Sequence, residues 1–75
     1  VTLFVDNWYG ARIEVFKIGE DGKPLGVGRP TAFTSLREPT RQGNVFAFYG
    51  VDGAYFGHYT TTGVGEQRVR LEPQR

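Results

Sequence analysis

The sequence of 75 residues contains no cysteine and no methionine, and it has one histidine, His58, and one tryptophan, Trp8. Without cysteine the chain has no disulfide, no thiolate metal ligand and no cysteine nucleophile. A single histidine excludes a metal site that needs several imidazoles from one chain. We therefore expect neither a metal nor another cofactor.

The sequence also lacks an excess of one charge and a long apolar run. Nine basic residues stand against eight acidic residues, a formal net charge of +1. This balance is not the basic footprint typical of binding to nucleic acid or anionic lipid. A membrane-spanning helix needs about 18 or more consecutive apolar residues, and no such run is present, so we expect no membrane insertion. No feature points to a particular compartment.

What the sequence does contain is short β-branched and aromatic runs separated by eleven glycines and four prolines. This pattern is typical of a β-sandwich or barrel and leaves no room for a helix longer than one turn. We predict one all-β domain over residues 1–75, an antiparallel sandwich of six or seven strands, with a frayed tail at 72–75. The predicted strands are 1–6, 11–18, 24–28, 31–36, 44–49, 54–61 and 66–71.

The turn residues predict how these strands are joined. Asp21-Gly22 and Asp52-Gly53 favour tight turns because glycine accepts a positive φ. Gly63-Val64-Gly65 is expected to close a last hairpin, and residues 37–43 are expected to form a loop. Pro24 and two glycines make 24–28 a predicted edge strand. The segment 44–49 is apolar on both faces, which indicates a central strand.

The titratable residues form no catalytic pattern. His58 has serine, threonine and aspartate residues as conceivable partners, but no nucleophile-elbow sequence is present. Asp6, Asp21 and Asp52 fall in or beside predicted turns, where aspartate hydrogen-bonds the backbone. Glu14 is expected to face solvent. We therefore expect a protein that is not an enzyme.

The aromatic residues offer the candidate binding site. Six phenylalanines, four tyrosines and one tryptophan exceed what the core of so small a sandwich holds comfortably, and tyrosine and tryptophan are suited to interfaces. The alternative is that these rings complete the core, with Trp8 as a lid. The predicted partner-binding residues are Trp8, Tyr9, Tyr55 and Tyr59, with Arg68 and Arg70 at the rim.

The same residues raise the question of nucleic acid. Arg68 and Arg70 share one strand face, and Tyr55 and Tyr59 are expected to lie across from them, as in a stacking platform. Glu66 and Glu72 flank the arginines, and the whole chain is almost neutral. Nucleic acid is therefore not the favoured partner.

Five segments, in their order along the chain, carry a resemblance to a known family. They are Leu3-Phe4-Val5-Asp6-Asn7, Ala11-Arg12-Ile13-Glu14-Val15-Phe16, Asp21-Gly22-Lys23-Pro24, Gly43-Asn44-Val45-Phe46-Ala47-Phe48 and Val69-Arg70-Leu71-Glu72-Pro73. They resemble the β-domain of the von Hippel–Lindau tumour suppressor family, and the resemblance extends over most of the chain. The resemblance implies a β-sandwich that binds other proteins.

The pocket with which that family reads hydroxyproline is not implied. The family builds this pocket from Trp, Tyr, Ser, His and Trp, and none of these residues stands at the matching positions. Those positions are Lys17, Val27, Thr40, Asn44 and Phe46. The family's cullin-linked helical domain has no counterpart in these residues either.

A second resemblance involves Val1-Thr2-Leu3-Phe4 followed by Trp8-Tyr9. These residues are similar to the opening strand and inhibitory turn of the small bacterial α-amylase inhibitors, which are β-sandwiches of about this length. That family presents Trp-Arg-Tyr and has two disulfides. Here the turn is Trp8-Tyr9-Gly10, with neither the arginine nor any cysteine.

These observations predict a small, non-catalytic protein-binding module or accessory subunit. Its expected partner is a larger protein or a second copy of the chain. The alternative is a secreted hydrolase inhibitor or carbohydrate-binding module that uses Trp8 and Tyr9.

Overall fold

A computed structural model describes residues 1–73, which form seven β-strands and no helix. The strands are β1 (Thr2–Asn7), β2 (Ile13–Ile18), β3 (Pro24–Gly28), β4 (Ser35–Pro39), β5 (Val45–Gly50), β6 (Tyr55–Thr60) and β7 (Glu66–Leu71). They form a three-stranded sheet, in the order β4-β1-β7, and a four-stranded sheet, in the order β3-β2-β5-β6. The all-β sandwich expected from the sequence is confirmed. Of the predicted frayed tail, residues 74 and 75 lie outside the described residues.

The four-stranded sheet is antiparallel throughout and follows the predicted turns. Gly22 has φ 79° and Gly53 has φ 86°, and each follows an aspartate whose carboxylate accepts a backbone N–H two residues on. These turns join β2 to β3 and β5 to β6. The edge position of β3 and the central position of β5 are confirmed.

The three-stranded sheet contains the one pairing that differs from the antiparallel expectation. β4 runs antiparallel to β1, whereas β7 runs parallel to it. Because β6 and β7 lie in different sheets, the prediction of a hairpin at Gly63-Val64-Gly65 is wrong. That segment carries the chain from one sheet to the other.

The side chain of Gln67 explains how this crossing is held. Its buried amide oxygen accepts hydrogen bonds from the Tyr59 hydroxyl and the Thr62 N–H, both at 2.8 Å. Its amide nitrogen donates to the carbonyls of Thr62 and Val64, at 2.8 and 2.7 Å. In a hairpin, the backbones of the two strands would bond to each other; here the side chain of Gln67 supplies the hydrogen bonds instead.

β4 begins later than the sequence predicts. Residues 31–34 form a turn, in which the Thr34 N–H and hydroxyl both donate to the carbonyl of Thr31, and Phe33 has φ 59°. The strand therefore starts at Ser35 and takes in Arg37, Glu38 and Pro39, which were predicted to lie in a loop. An edge strand tolerates a terminal proline because its outer side has no ladder to lose.

The core lies between the two sheets and comes from alternate residues of the strands. Inward and outward positions alternate because successive side chains point to opposite faces. Val69 packs against this core, and Leu71 belongs to it. The buried apolar side chains of the cluster are Leu3, Val5, Ile13, Val15, Phe46, Phe48 and Leu71.

Asn7 anchors the crossing from β1 to β2 at one end of this core. Its buried amide nitrogen lies 2.9 to 3.0 Å from the carbonyl oxygens of Ala11, Pro30 and Thr31. Its amide oxygen accepts the N–H of Tyr9 at 2.9 Å. One side chain therefore joins the segment that follows β1 to the segment that precedes β4.

We expect Asn7→Ala to lower the free energy of unfolding by about 3 kcal/mol, because each lost hydrogen bond contributes about 1 kcal/mol and the side chain removed is fully buried, so its loss leaves a cavity. Urea denaturation followed by tryptophan fluorescence measures the change. Asn44→Ala is the control, because that half-buried amide donates one side-chain hydrogen bond, to Thr40. An equal loss in both variants would contradict the role given to Asn7.

Candidate functional site

The outer face of the three-stranded sheet collects side chains that are far apart in sequence. Residues paired across strands present their side chains on the same face. Phe4 on β1 pairs with Arg37 on β4 and with Arg68 on β7. Two residues further along β1, Asp6 pairs with Ser35 on β4 and with Arg70 on β7. β1 therefore carries a row of outward side chains with arginines on both sides.

Trp8 and Phe33 extend this row beyond the end of β1. Trp8 is 47% exposed and Phe33 is 67% exposed, and their ring centroids are 6.3 Å apart in an edge-to-face arrangement. The positive φ of Phe33 is unusual for a bulky residue. Two large rings therefore lie side by side at the surface, and Phe33 has a backbone conformation that is unfavourable for a bulky residue.

Two arginines of β7 lie over aromatic rings of this row. The Cζ atom of Arg68 is 4.9 Å from the ring centroid of Phe4, and that of Arg70 is 4.9 Å from the ring centroid of Trp8. Both distances are within the range of a cation–π interaction. We call this surface the aromatic–arginine face; it comprises Phe4, Trp8, Phe33, Arg37, Arg68 and Arg70.

Asp6 lies beneath this face and is 5% exposed. Its Oδ1 atom accepts hydrogen bonds from the Ser35 hydroxyl at 2.5 Å and from Nη1 of Arg68 at 2.6 Å. Burial raises the pKa of Asp6, but the hydrogen bonds from Arg68 and Ser35 and the charges of Arg68 and Arg70 outweigh burial and lower it below the usual 3.8. The hydrogen bond between Arg68 and Asp6 also raises the pKa of Arg68.

The six residues predicted for partner binding are divided by the structure between different surroundings. Trp8, Arg68 and Arg70 lie together on the aromatic–arginine face. Tyr9 stacks on Phe56, with ring centroids 4.5 Å apart and planes 6° from parallel, and packs against the core. Tyr59 also packs against the core.

Tyr55 lies away from the arginines. It is 57% exposed on β6, in the other sheet, beside Tyr49 at a centroid distance of 5.5 Å. The expectation that Tyr55 and Tyr59 lie across from Arg68 and Arg70 is therefore wrong, because it assumed that β6 and β7 are neighbours.

Two members of the face, Phe33 and Arg37, were missed by the sequence reasoning. Phe33 was placed inside a strand and Arg37 inside a loop, so neither was assigned a direction. The sequence signal that could have found Phe33 is the Thr31–Thr34 pair around it, since threonine hydroxyls favour such a turn.

The remaining titratable groups form no second constellation in the part of the chain that the structure describes. His58 is exposed on β6, and its Nδ1 atom lies 2.8 Å from the Tyr55 hydroxyl, which agrees with a strand residue bonded to a neighbour. Residues 1–73 contain no group of three or more His, Cys, Asp or Glu residues that could hold a metal ion. The same residues include no helix long and apolar enough to cross a membrane.

A concave space lies at the other end of the sandwich from Trp8. It has a volume of about 710 Å³ and is lined by residues 17–20 and 41–45. The aromatic–arginine face is therefore an open surface and does not belong to this cleft.

No model of a known protein family matches this sequence, and no curated protein matches it. The resemblances to the von Hippel–Lindau β-domain and to the α-amylase inhibitors stay predictions. The candidate site consequently rests on its geometry alone.

We expect the stability of the protein to fall as the pH drops from about 4 through the lowered pKa of Asp6, because protonation then favours the unfolded chain. The contribution of the Asp6 carboxylate is fully present above the unfolded-state pKa. Asp6→Asn should therefore be less stable than the wild type at neutral pH and lose less on acidification. Urea denaturation between about pH 7 and pH 2 measures both.

Asp21→Asn is the matched control for this experiment. Asp21 is exposed and accepts a backbone N–H within its own turn. If Asp21→Asn flattened the acid dependence as much as Asp6→Asn, the assignment to the pair of Asp6 and Arg68 would fail.

Proposed function

We propose that the protein is a small, non-catalytic protein-binding module, or an accessory subunit, that docks on a larger protein through the aromatic–arginine face. The observation that carries the proposal is the exposed pair of Trp8 and Phe33, whose rings contact each other outside the core. Aromatic side chains with large exposed area are the residues that dominate binding energy at protein interfaces.

Arg70 fits the same function. Its guanidinium covers one side of the Trp8 ring, so ring and cation hold each other in place before any partner arrives. Tryptophan and arginine are both enriched among the residues that contribute most to interfaces. A side chain that is already ordered loses less conformational entropy on binding.

The sheet below makes the face rigid. β1 pairs with a strand on each side, and Asp6 links it through side chains to Ser35 on β4 and Arg68 on β7. Phe4 therefore stands on a strand that is fixed from both sides, and Trp8 follows it on the same chain segment, where its backbone N–H donates to the carbonyl of Leu71. Such an arrangement favours recognition of a matching surface with little rearrangement.

A different protein fits this face better than a second copy of the chain. In a two-fold symmetric dimer, a surface patch contacts itself. The patch would then bring Arg37 and Arg70 of one copy towards the same cations of the other, and like charges across an interface are unfavourable. The partner we propose is therefore a larger, different protein.

The geometry supports the alternative of a carbohydrate binder or hydrolase inhibitor less well. Trp8 and Tyr9 do not form a common platform, because Tyr9 stacks on Phe56 and Arg70 covers one side of Trp8. A sugar would therefore stack on one side of Trp8 alone, whereas the sequence predicts stacking on both Trp8 and Tyr9.

We expect Trp8→Ala and Phe33→Ala to weaken partner binding, with Trp8→Ala costing about 2 kcal/mol or more as an interface hot spot. The tagged chain is purified from its native source at natural abundance, and light scattering gives the mass of the eluate. A stoichiometric larger partner should be retained by the wild type and lost from both variants. Unfolding in urea should be little changed, because both rings are largely at the surface.

Tyr55→Ala is the matched control, because Tyr55 is an equally exposed ring on the opposite sheet, and it should retain the partner. A Trp8→Ala variant that loses stability but keeps full affinity would make Trp8 a lid on the core and remove the site. A saturating blue shift of tryptophan fluorescence on titration with oligosaccharides or an α-amylase would favour the alternative instead.

A further inference from the structure

Two of the three arginines of the aromatic–arginine face form no ion pair with a carboxylate of the described chain. Two ion pairs occur among residues 1–73, between Arg29 and Glu14 and between Arg68 and Asp6. Arg37 and Arg70, the other two arginines of the face, belong to neither. The three arginines of the face, one of them paired with Asp6, therefore carry more positive charge than the net +1 of the whole chain.

The carboxylates near this face do not offset that charge where the aromatic rings are. Asp6 is buried and already bonded to Arg68. Glu66 pairs with Thr2 at the opposite end of β1 from Trp8. Glu72 follows β7 two residues after Arg70 and forms no ion pair with Arg37 or Arg70. Neither arginine therefore has a carboxylate partner within the described chain.

Arg70 is arranged to accept a carboxylate. Its guanidinium carbon lies 4.9 Å from the centroid of the Trp8 ring, and no carboxylate among the described residues forms an ion pair with it. Arginine presents its N–H donors in a planar fork that matches a carboxylate with two parallel hydrogen bonds.

Arg37 supplies a second cation at a distance that one peptide segment can span. Arg37 lies on β4, and β1 separates β4 from β7. Arg37 is level with Phe4, whereas Arg70 is level with Asp6, two residues further along β1. With strands about 4.8 Å apart and about 3.3 Å per residue, the Cα atoms of Arg37 and Arg70 are roughly 12 Å apart. An extended peptide covers that distance in about four residues.

From this arrangement we infer that the partner contacts the face with an acidic segment, which places one carboxylate on Arg70 beside Trp8 and another on Arg37. This inference rests on the proposed function, because it names the chemistry of the partner at the same face.

Nucleic acid fits the face less well than an acidic protein segment does. Single-stranded nucleic acid needs aromatic rings with free sides on which bases stack. Here Arg68 lies over Phe4 and Arg70 lies over Trp8, so the two rings are covered by the cations that would contact phosphate.

The test is a titration of the full chain with a synthetic hexaglutamate peptide, which is long enough to reach both arginines. Backbone amide NMR shifts should be confined to residues 4–8, 33–37 and 68–71. Arg70→Gln and Arg37→Gln should each raise Kd at least about threefold, the double variant more, and added salt should weaken binding. Arg70→Lys should give a smaller loss, since lysine keeps the charge but not the fork.

Arg41→Gln is the matched control, because it removes the same charge from an exposed arginine that lines the cleft at the other end of the sandwich. It should leave Kd within about twofold. An equal loss in Arg41→Gln, shifts spread over the whole surface, or no measurable binding would overturn the inference. Tighter binding of a hexathymidylate oligonucleotide than of hexaglutamate would also overturn it, in favour of nucleic acid.

The two proposals fail separately in the co-purification experiment. If the native partner is lost from Trp8→Ala but retained by the double variant of Arg37 and Arg70, the acidic segment is wrong and the docking face stands. If Trp8→Ala retains the partner, the docking face itself is wrong, whatever hexaglutamate does.

Discussion

The carboxylate of Asp6 lies on the outer side of β1, where a strand residue normally meets water, and yet it is buried. A buried charge is costly unless it is paired and hydrogen-bonded, and here Ser35 and Arg68 provide both. Meeting this requirement ties both neighbouring strands to β1 by their side chains. It also draws the guanidinium of Arg68 across Phe4. The shape of the candidate face follows from this one carboxylate.

Asp6 and Gln67 have related roles on the two sides of the same sheet. Gln67 faces the interior and holds the crossing by which the chain enters β7, so that β7 can run parallel to β1. Only with β7 in that place do Arg68 and Arg70 come beside Phe4, Asp6 and Trp8. A hairpin between β6 and β7 would have put the same arginines beside Tyr55 and Tyr59, and the surface would have been a different one.

The sequence was sufficient for features that depend on local pattern. Alternation and turn residues predicted the all-β fold, the turns at Gly22 and Gly53, and the positions of β3 and β5. It was insufficient where side chains form non-local hydrogen bonds, because nothing in Gly63-Val64-Gly65 distinguishes a hairpin from a crossing held by Gln67. Of the candidate site, the pattern placed Trp8, Arg68 and Arg70, but Phe33 and Arg37 needed the turn at 31–34 to be known.

The three arginines of the face differ in the free energy that is available for binding. Arg68 is paired with Asp6, and breaking that buried pair would leave a carboxylate uncompensated. The role that we assign to Arg68 is therefore to hold Phe4 and the sheet in place. Arg70 and Arg37 form no ion pair within the described chain. Their hydrogen bonds to water are the ones that a partner can replace, and exchange of that kind gives specificity and a fast approach of opposite charge. In the function proposed above, Arg68 would support the surface, and Arg37 and Arg70 would select what binds to it.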